Sequence, residues 1–167
     1  MFTGLSLLYV GVVLILNGIW LLNRISDKEI TIINLCVAAI STFVAFENAV
    51  RATDVTGVRL AALVLLFAIT YLWVAYNRIT GSDGRGLGWF SLIVAITVVP
   101  MAALTLAQAD SPMGIWLGFC WSAWAILWLL YFLLLTVEMK IQKQTALFTL
   151  FCGIFTGWLP GMVLLFS

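Results

Sequence analysis

The chain has 167 residues, of which 64% are hydrophobic, 14% aromatic and only 9% charged. A water-soluble globular domain carries about 45–50% apolar and about 25% charged positions, so this composition cannot clothe a sphere in water. The net charge of +1, with no basic run longer than two residues, excludes an extended nucleic-acid surface.

Six apolar stretches follow in chain order, at residues 2–22, 30–50, 60–77, 88–107, 113–137 and 145–166. Each is close to the ~20 residues a helix needs to cross hydrocarbon. Of 15 formal charges, only Glu47 falls inside a stretch. Such segregation is what exclusion of charge from lipid produces. The expected fold is an all-α polytopic membrane protein, with six transmembrane helices forming one domain over residues 1–167. The first stretch lacks the positive leading region of a cleavable signal and is expected to be a permanent helix.

Local signals fit these limits. Ser26 and Asp27 are cap candidates for the second helix, with Glu29 in its first turn. Residues 80–84 form a Thr-Gly-Ser-Asp-Gly turn cluster. Pro112, after Ser111, suits the first turn of the fifth helix. Pro100 and Pro160 lie inside the fourth and sixth stretches and are expected to kink them, freeing carbonyls. The first, third and fifth loops carry six basic residues; the second and fourth, with the termini, carry Arg51 and Arg59. Basic short loops stay in the cytoplasm, so both termini are expected outside.

Enzymatic chemistry finds no footing. There is no histidine, and Cys36, Cys120 and Cys152 stand singly, without the spacing of a metal or redox site. They read as small buried hydrophobes. No nucleophile–base pair, metal set or cofactor motif is visible.

The informative residues are polar or aromatic ones in the membrane. Leu7, Val10, Leu14 and Asn17 share one face of the first helix. Asn17 either makes an interhelical hydrogen bond or presents its amide to a solute. Trp121, Trp124 and Trp128 form a stripe on the fifth helix, with Leu127 beside them. Trp20, Trp89 and Trp116, near helix ends, fit an interfacial belt. Trp124 lies near the midplane, so it either bonds a neighbouring helix or lines an aqueous path. Ile69 and Trp73 form a weaker pair beside Thr70 and Tyr71. Glu47 and Arg51 are either a self-contained ion pair or a solute-collecting mouth. Gly153, Gly157 and Gly161 make a small-residue ridge suited to packing or oligomer contact. A path lined by these groups rejects ions by desolvation, and the absence of a midplane carboxylate favours passive conduction of small neutral solutes over coupled transport.

Several strings resemble the AmiS/UreI family, the urea channels and amide transporters of urease- and amidase-bearing bacteria. They are residues 7–18 (LLYVGVVLILNG), 70–73 (TYLW) with Asn77, 88–95 (GWFSLIVA), the tryptophan stripe, and 156–160 (TGWLP). The resemblance implies a hexamer of six-helix protomers, each with its own pore, in the bacterial inner membrane. It implies a pore lined by Leu7, Val10, Leu14, Asn17, Ile69, Trp73, Trp121, Trp124, Leu127 and Trp128, conducting urea or short aliphatic amides to a cytoplasmic urease or amidase. Two departures stand out. The second loop is only residues 51–59 and carries no histidine, so the acid gate of the acid-activated members is expected to be absent. Cys152 stands where those members place a glutamate at a cytoplasmic constriction, so it too is expected to line the pore. An energy-coupled carrier and an accessory membrane subunit are the competing expectations.

Overall fold

A computed structural model describes residues 2–166 of the chain and the side chains of residues 3–166. Six helices fill this range: α1 (Phe2–Leu21), α2 (Asp27–Arg51), α3 (Val55–Thr80), α4 (Arg85–Ala107), α5 (Pro112–Leu135) and α6 (Gln142–Phe166). All six are long and apolar enough to cross a membrane.

The helices outrun the apolar stretches because their caps sit in polar flanks. Ser26 accepts from the Glu29 N–H while the Glu29 carboxylate accepts from the Ser26 N–H, a reciprocal box that starts α2 at Asp27 rather than at residue 30. Asp54 accepts from the Gly57 N–H at 2.9 Å, which starts α3 at Val55 and takes Arg59 into the helix. Ser111 caps α5 through the Gly114 N–H at 3.1 Å, with Pro112 in the first turn as expected. Gly81, at φ +70°, closes α3 in the left-handed conformation that residues with a Cβ avoid.

The two intrahelical prolines have different outcomes. α4 continues through Pro100 as one helix. In α6 the turn before Pro160 widens into a π-helical segment, Gly153–Trp158. A proline has no N–H to donate, and its ring crowds the carbonyl four residues back, here that of Thr156. A wider turn relieves that clash and leaves carbonyls for other donors.

The chain order of the helices is also their order around the bundle, and α6 closes the ring against α1. Closure depends on glycine. A Cβ on Gly157 would run into the backbone of Gly11, and one on Gly153 would lie 2.7 Å from the Ile15 nitrogen. The glycine ridge thus packs against α1 within the protomer. Both termini share one end, where Gly4 lies against Leu164 and Leu165. At the opposite end the Gln142 amide donates to the Leu21 carbonyl at 2.8 Å, and Thr136 Oγ1 donates to the Arg85 carbonyl at 3.2 Å.

Val10, Val13, Val37, Phe67, Val94, Val98 and Trp121, Trp124 and Trp128 of α5 meet in the bundle interior. Ile32, Phe46, Leu72, Ile93 and Ile96 stand exposed on its outside, as lipid-facing residues do. Cys120 and Cys152 are buried, as expected of small hydrophobes. Cys36 is not. It is exposed on the outer face of α2, where a thiol next to lipid carries no desolvation penalty.

Candidate functional site

Three chambers lie in series inside the bundle. The first, about 230 Å³, is near the end that holds the termini; Ser6, Leu7, Val10, Asn48, Val64, Phe67, Trp121 and Trp124 are among its walls. The second, about 30 Å³, is walled by Leu14, Asn17, Phe67, Thr70, Tyr71, Val74, Leu87, Ser91, Trp124, Leu127, Trp128 and Tyr131. The third, also about 30 Å³, lies at the opposite end among Trp20, Val74, Asn77, Arg78, Leu87 and Tyr131. Phe67 and Trp124 stand between the first and second chambers. Val74, Leu87 and Tyr131 stand between the second and third. A volume near 10–15 Å³ suffices for one water, so the inner two chambers hold only a few atoms at a time.

The aromatic partition is held by edge-on contacts. The Phe67 ring is 4.9 Å from Trp124 at 83°, and Trp124 is 5.0 Å from Trp121 at 83°. Phe67 also lies 4.8 Å from Trp128. The two 83° contacts are edge-to-face and put a positive ring edge on a negative face, whereas Phe67 and Trp128 are tilted at 49°. The indole nitrogens are separately tied. Trp124 Nε1 donates to Thr156 Oγ1 at 2.7 Å, and that hydroxyl donates in turn to the Cys152 carbonyl at 2.6 Å. Trp128 Nε1 donates to Thr70 Oγ1 at 3.3 Å. Trp116 Nε1 donates to the Phe155 carbonyl in the π-helical turn at 2.9 Å. The widened turn of α6 and the tryptophans of α5 therefore complete one another.

Polar groups on the walls of the first two chambers are few and neutral. Asn17 and Asn34 exchange amide hydrogen bonds at 3.2 and 2.8 Å, and Asn34 also donates to the Ile30 carbonyl. This clasp between α1 and α2 answers the open question at Asn17: it bonds a neighbouring helix while its side chain also borders the second chamber. Trp124 likewise does both. Thr70 and Ser91 donate to the carbonyls of Leu66 and Leu87, four residues back. Tyr71 is buried, and its side chain borders the second chamber. Among the described residues no His, Cys, Asp or Glu cluster could hold a metal ion.

The structure gathers Leu7, Val10, Leu14, Asn17, Trp121, Trp124, Leu127 and Trp128 around the chambers. Four other candidates lie elsewhere. Ile69 is 40% exposed on the outside of α3. The Trp73 ring packs on Phe90 at 5.5 Å, away from the three chambers. One position of helix phase separates these two from Thr70, Tyr71 and Val74, which do face inward. Cys152 is wholly buried and walls none of the chambers, because its side of α6 packs into the core. Glu47 pairs with Arg51 at 2.7 Å, and its neighbour Asn48 borders the first chamber instead. Phe67 and Tyr131 were missed by the sequence reading. Their spacing to Tyr71 (i, i+4) and Trp128 (i, i+3) was the available signal. Trp20, expected in a belt, bonds Asp27 Oδ1 at 2.7 Å.

The profile described as AmiS/UreI family transporter matches residues 2–167. The chain belongs to the AmiS/UreI family. It is 43% identical over 135 residues to a Mycolicibacterium smegmatis protein described by name only as a transporter of amidate substrates, matching 79% of this chain and 61% of that protein. It is 34% identical over 187 aligned positions to the acid-activated urea channel of Helicobacter pylori, covering 96% of each chain. The crystal structure of the H. pylori urea channel superposes with a TM-score of 0.86 over 99% of this chain and 97% of that one. A cryo-EM structure of that channel in a closed state gives 0.85, over 98% and 97%. The fold is thus all-helical and membrane-spanning, shared with a urea channel.

Proposed function

We propose that this protein is a passive channel for urea and short aliphatic amides, with both termini outside and the passage running through each protomer's three chambers. The observation that carries this reading is the chamber series itself. Its first two members present only neutral side chains, and adjacent chambers share walls at Phe67–Trp124 and at Val74–Leu87–Tyr131. Aliphatic and aromatic walls cannot replace an inorganic ion's hydration shell, so salts are excluded by desolvation. A flat uncharged solute slides between ring faces while exchanging hydrogen bonds with Tyr71 and Asn17. Among the described residues no carboxylate borders the first two chambers to carry a coupling proton, which separates this reading from an energised carrier. The names of the relatives, a urea channel and a transporter of amidate substrates, support this solute class. The resemblance of its strings to the AmiS/UreI family extends the proposal to a hexamer of protomers in the inner membrane that feeds a cytoplasmic urease or amidase.

Stopped-flow uptake of urea and of acetamide into proteoliposomes tests the proposal. A channel equilibrates both solutes without accumulation, and a protonophore leaves the rate unchanged. Accumulation that collapses with the protonophore identifies a carrier; no acceleration over empty vesicles identifies an accessory subunit. Trp124→Ala should alter selectivity or flux while the oligomer survives.

A further inference from the structure

Desolvation rejects sodium, but it is a poor defence against one kind of ion. Planar, weakly hydrated organic cations such as guanidinium and acetamidinium have nearly the shape of urea and acetamide. They shed water readily and stack on aromatic faces, an attraction strengthened where the site is desolvated. The partition of Phe67, Trp121, Trp124 and Trp128 offers such faces. A passage built for planar amides is therefore open to their cationic counterparts unless a charge opposes them.

One residue supplies that charge. Arg78, near the end of α3, is the charged residue among the described walls of the three chambers, and it borders the last and narrow one. Its guanidinium lies 5.1 Å from the Trp20 ring centroid. Nη1 meets Asp27 Oδ2 at the long distance of 3.4 Å, and the Asp27 side chain is 59% exposed. Asp27 also accepts from Trp20 at 2.7 Å. Trp20 and Asp27 thus fix the arginine at the chamber wall without a tight, buried ion pair to cancel its charge. Its Nε is buried and has no hydrogen-bond partner among the described residues.

We propose that Arg78 determines specificity, discriminating urea and amides from their planar cationic isosteres by charge repulsion at the third chamber. This rests on the passage proposed above. Arg78 repels a cation of solute size there while leaving a neutral amide unopposed.

The test compares entry of guanidinium and urea, and of acetamidinium and acetamide, into proteoliposomes carrying wild type, Arg78→Gln, Arg78→Lys or Asp27→Asn, with oligomeric state checked by size exclusion. Wild type is expected to pass the neutral member of each pair and exclude the cation. Arg78→Gln should raise the cation-to-neutral ratio at least tenfold. Arg78→Lys keeps the charge and should keep the exclusion. Asp27→Asn removes the partner yet leaves the guanidinium, so it should exclude cations at least as well as wild type. If Arg78→Gln assembles and still excludes both cations, the proposal is overturned. Should that variant not assemble, the other two decide: cation passage through Arg78→Lys or Asp27→Asn overturns it, and retained exclusion in both supports it. Wild type that passes neither urea nor acetamide would instead overturn the channel reading.

Discussion

Trp124 and Thr156 are joined across α5 and α6 by a 2.7 Å hydrogen bond from the indole N–H to a hydroxyl that itself donates to the Cys152 carbonyl. The bond lies next to the π-helical turn and sets the ring that partitions the first two chambers. Thr156→Val preserves shape but removes the acceptor. Leaving a buried N–H unpaired costs about 1–3 kcal/mol. The expected result is a lower thermal midpoint in detergent together with altered urea uptake, because the freed ring is no longer held edge-on to Phe67. An unchanged midpoint and unchanged uptake would show that the ring is fixed by packing alone.

The Asn17–Asn34 clasp gives a second test. Each amide serves the other, so Asn17→Leu both removes a bond and strands Asn34 in the interior. Interhelical hydrogen bonds in membranes are worth about 0.6 kcal/mol on average and at most about 1.7. Asn17→Leu and Asn34→Leu should each destabilise by about 1 kcal/mol or more, and the double variant by less than their sum. Urea flux through Asn17→Leu should fall, since an apolar face replaces an amide bordering the second chamber. Strict additivity in unfolding measurements would mean the two amides act independently.

These two pairs show how far the residues alone could be read. Six helices follow from the spacing of 15 charges among long apolar runs, because lipid leaves little choice. The faces of α1 and α5 were also legible. On each, residues of unusual character for a membrane, Asn17 and the tryptophans, mark the inward side. α3 offered no such contrast. Its Thr70 and Tyr71 stand directly beside Ile69 and Trp73, so Ile69 and Trp73 were as plausible as Thr70 and Tyr71, and packing against Trp128 and Trp124 settles the phase. The helix starts at Asp27 and Val55 depend on caps outside the apolar runs, which a hydropathy window does not see. The π-helical turn had a sequence cause in Pro160, but its partners on α5 are 30 to 40 residues away.

The α1–α6 seam should be intolerant of even one methyl group. Gly157→Ala places a Cβ against the Gly11 backbone, which cannot rotate aside as a side chain could. Overpacking of this kind costs typically about 1–3 kcal/mol. Gly81→Ala is the control, since its Cβ would meet open space and its difficulty is only the positive φ, worth roughly 1–2 kcal/mol. Gly157→Ala should therefore weaken both the thermal midpoint and uptake, whereas Gly81→Ala should lower the midpoint without changing solute selectivity. Equal effects on uptake would mean that the seam does not control the chambers.

Transport should be nearly indifferent to mild acid. The chain has no histidine, and no carboxylate is among the described walls of the three chambers. In the α3–α4 turn, the Arg85 backbone N–H and then its side chain hold the Asp83 carboxyl below its usual range. A group with a depressed folded pKa stabilises above its unfolded value and loses that contribution only as pH falls through the folded one. For Asp83 that window lies below roughly pH 4, so the turn keeps its ion pair throughout milder acid. Urea uptake is expected to change less than about twofold between about pH 5 and 7.5, where histidine is the usual titrating side chain. Steep acid activation in proteoliposomes would contradict this and direct attention to Glu47, Asp54 and Asp110, the carboxylates nearest the end that holds the termini.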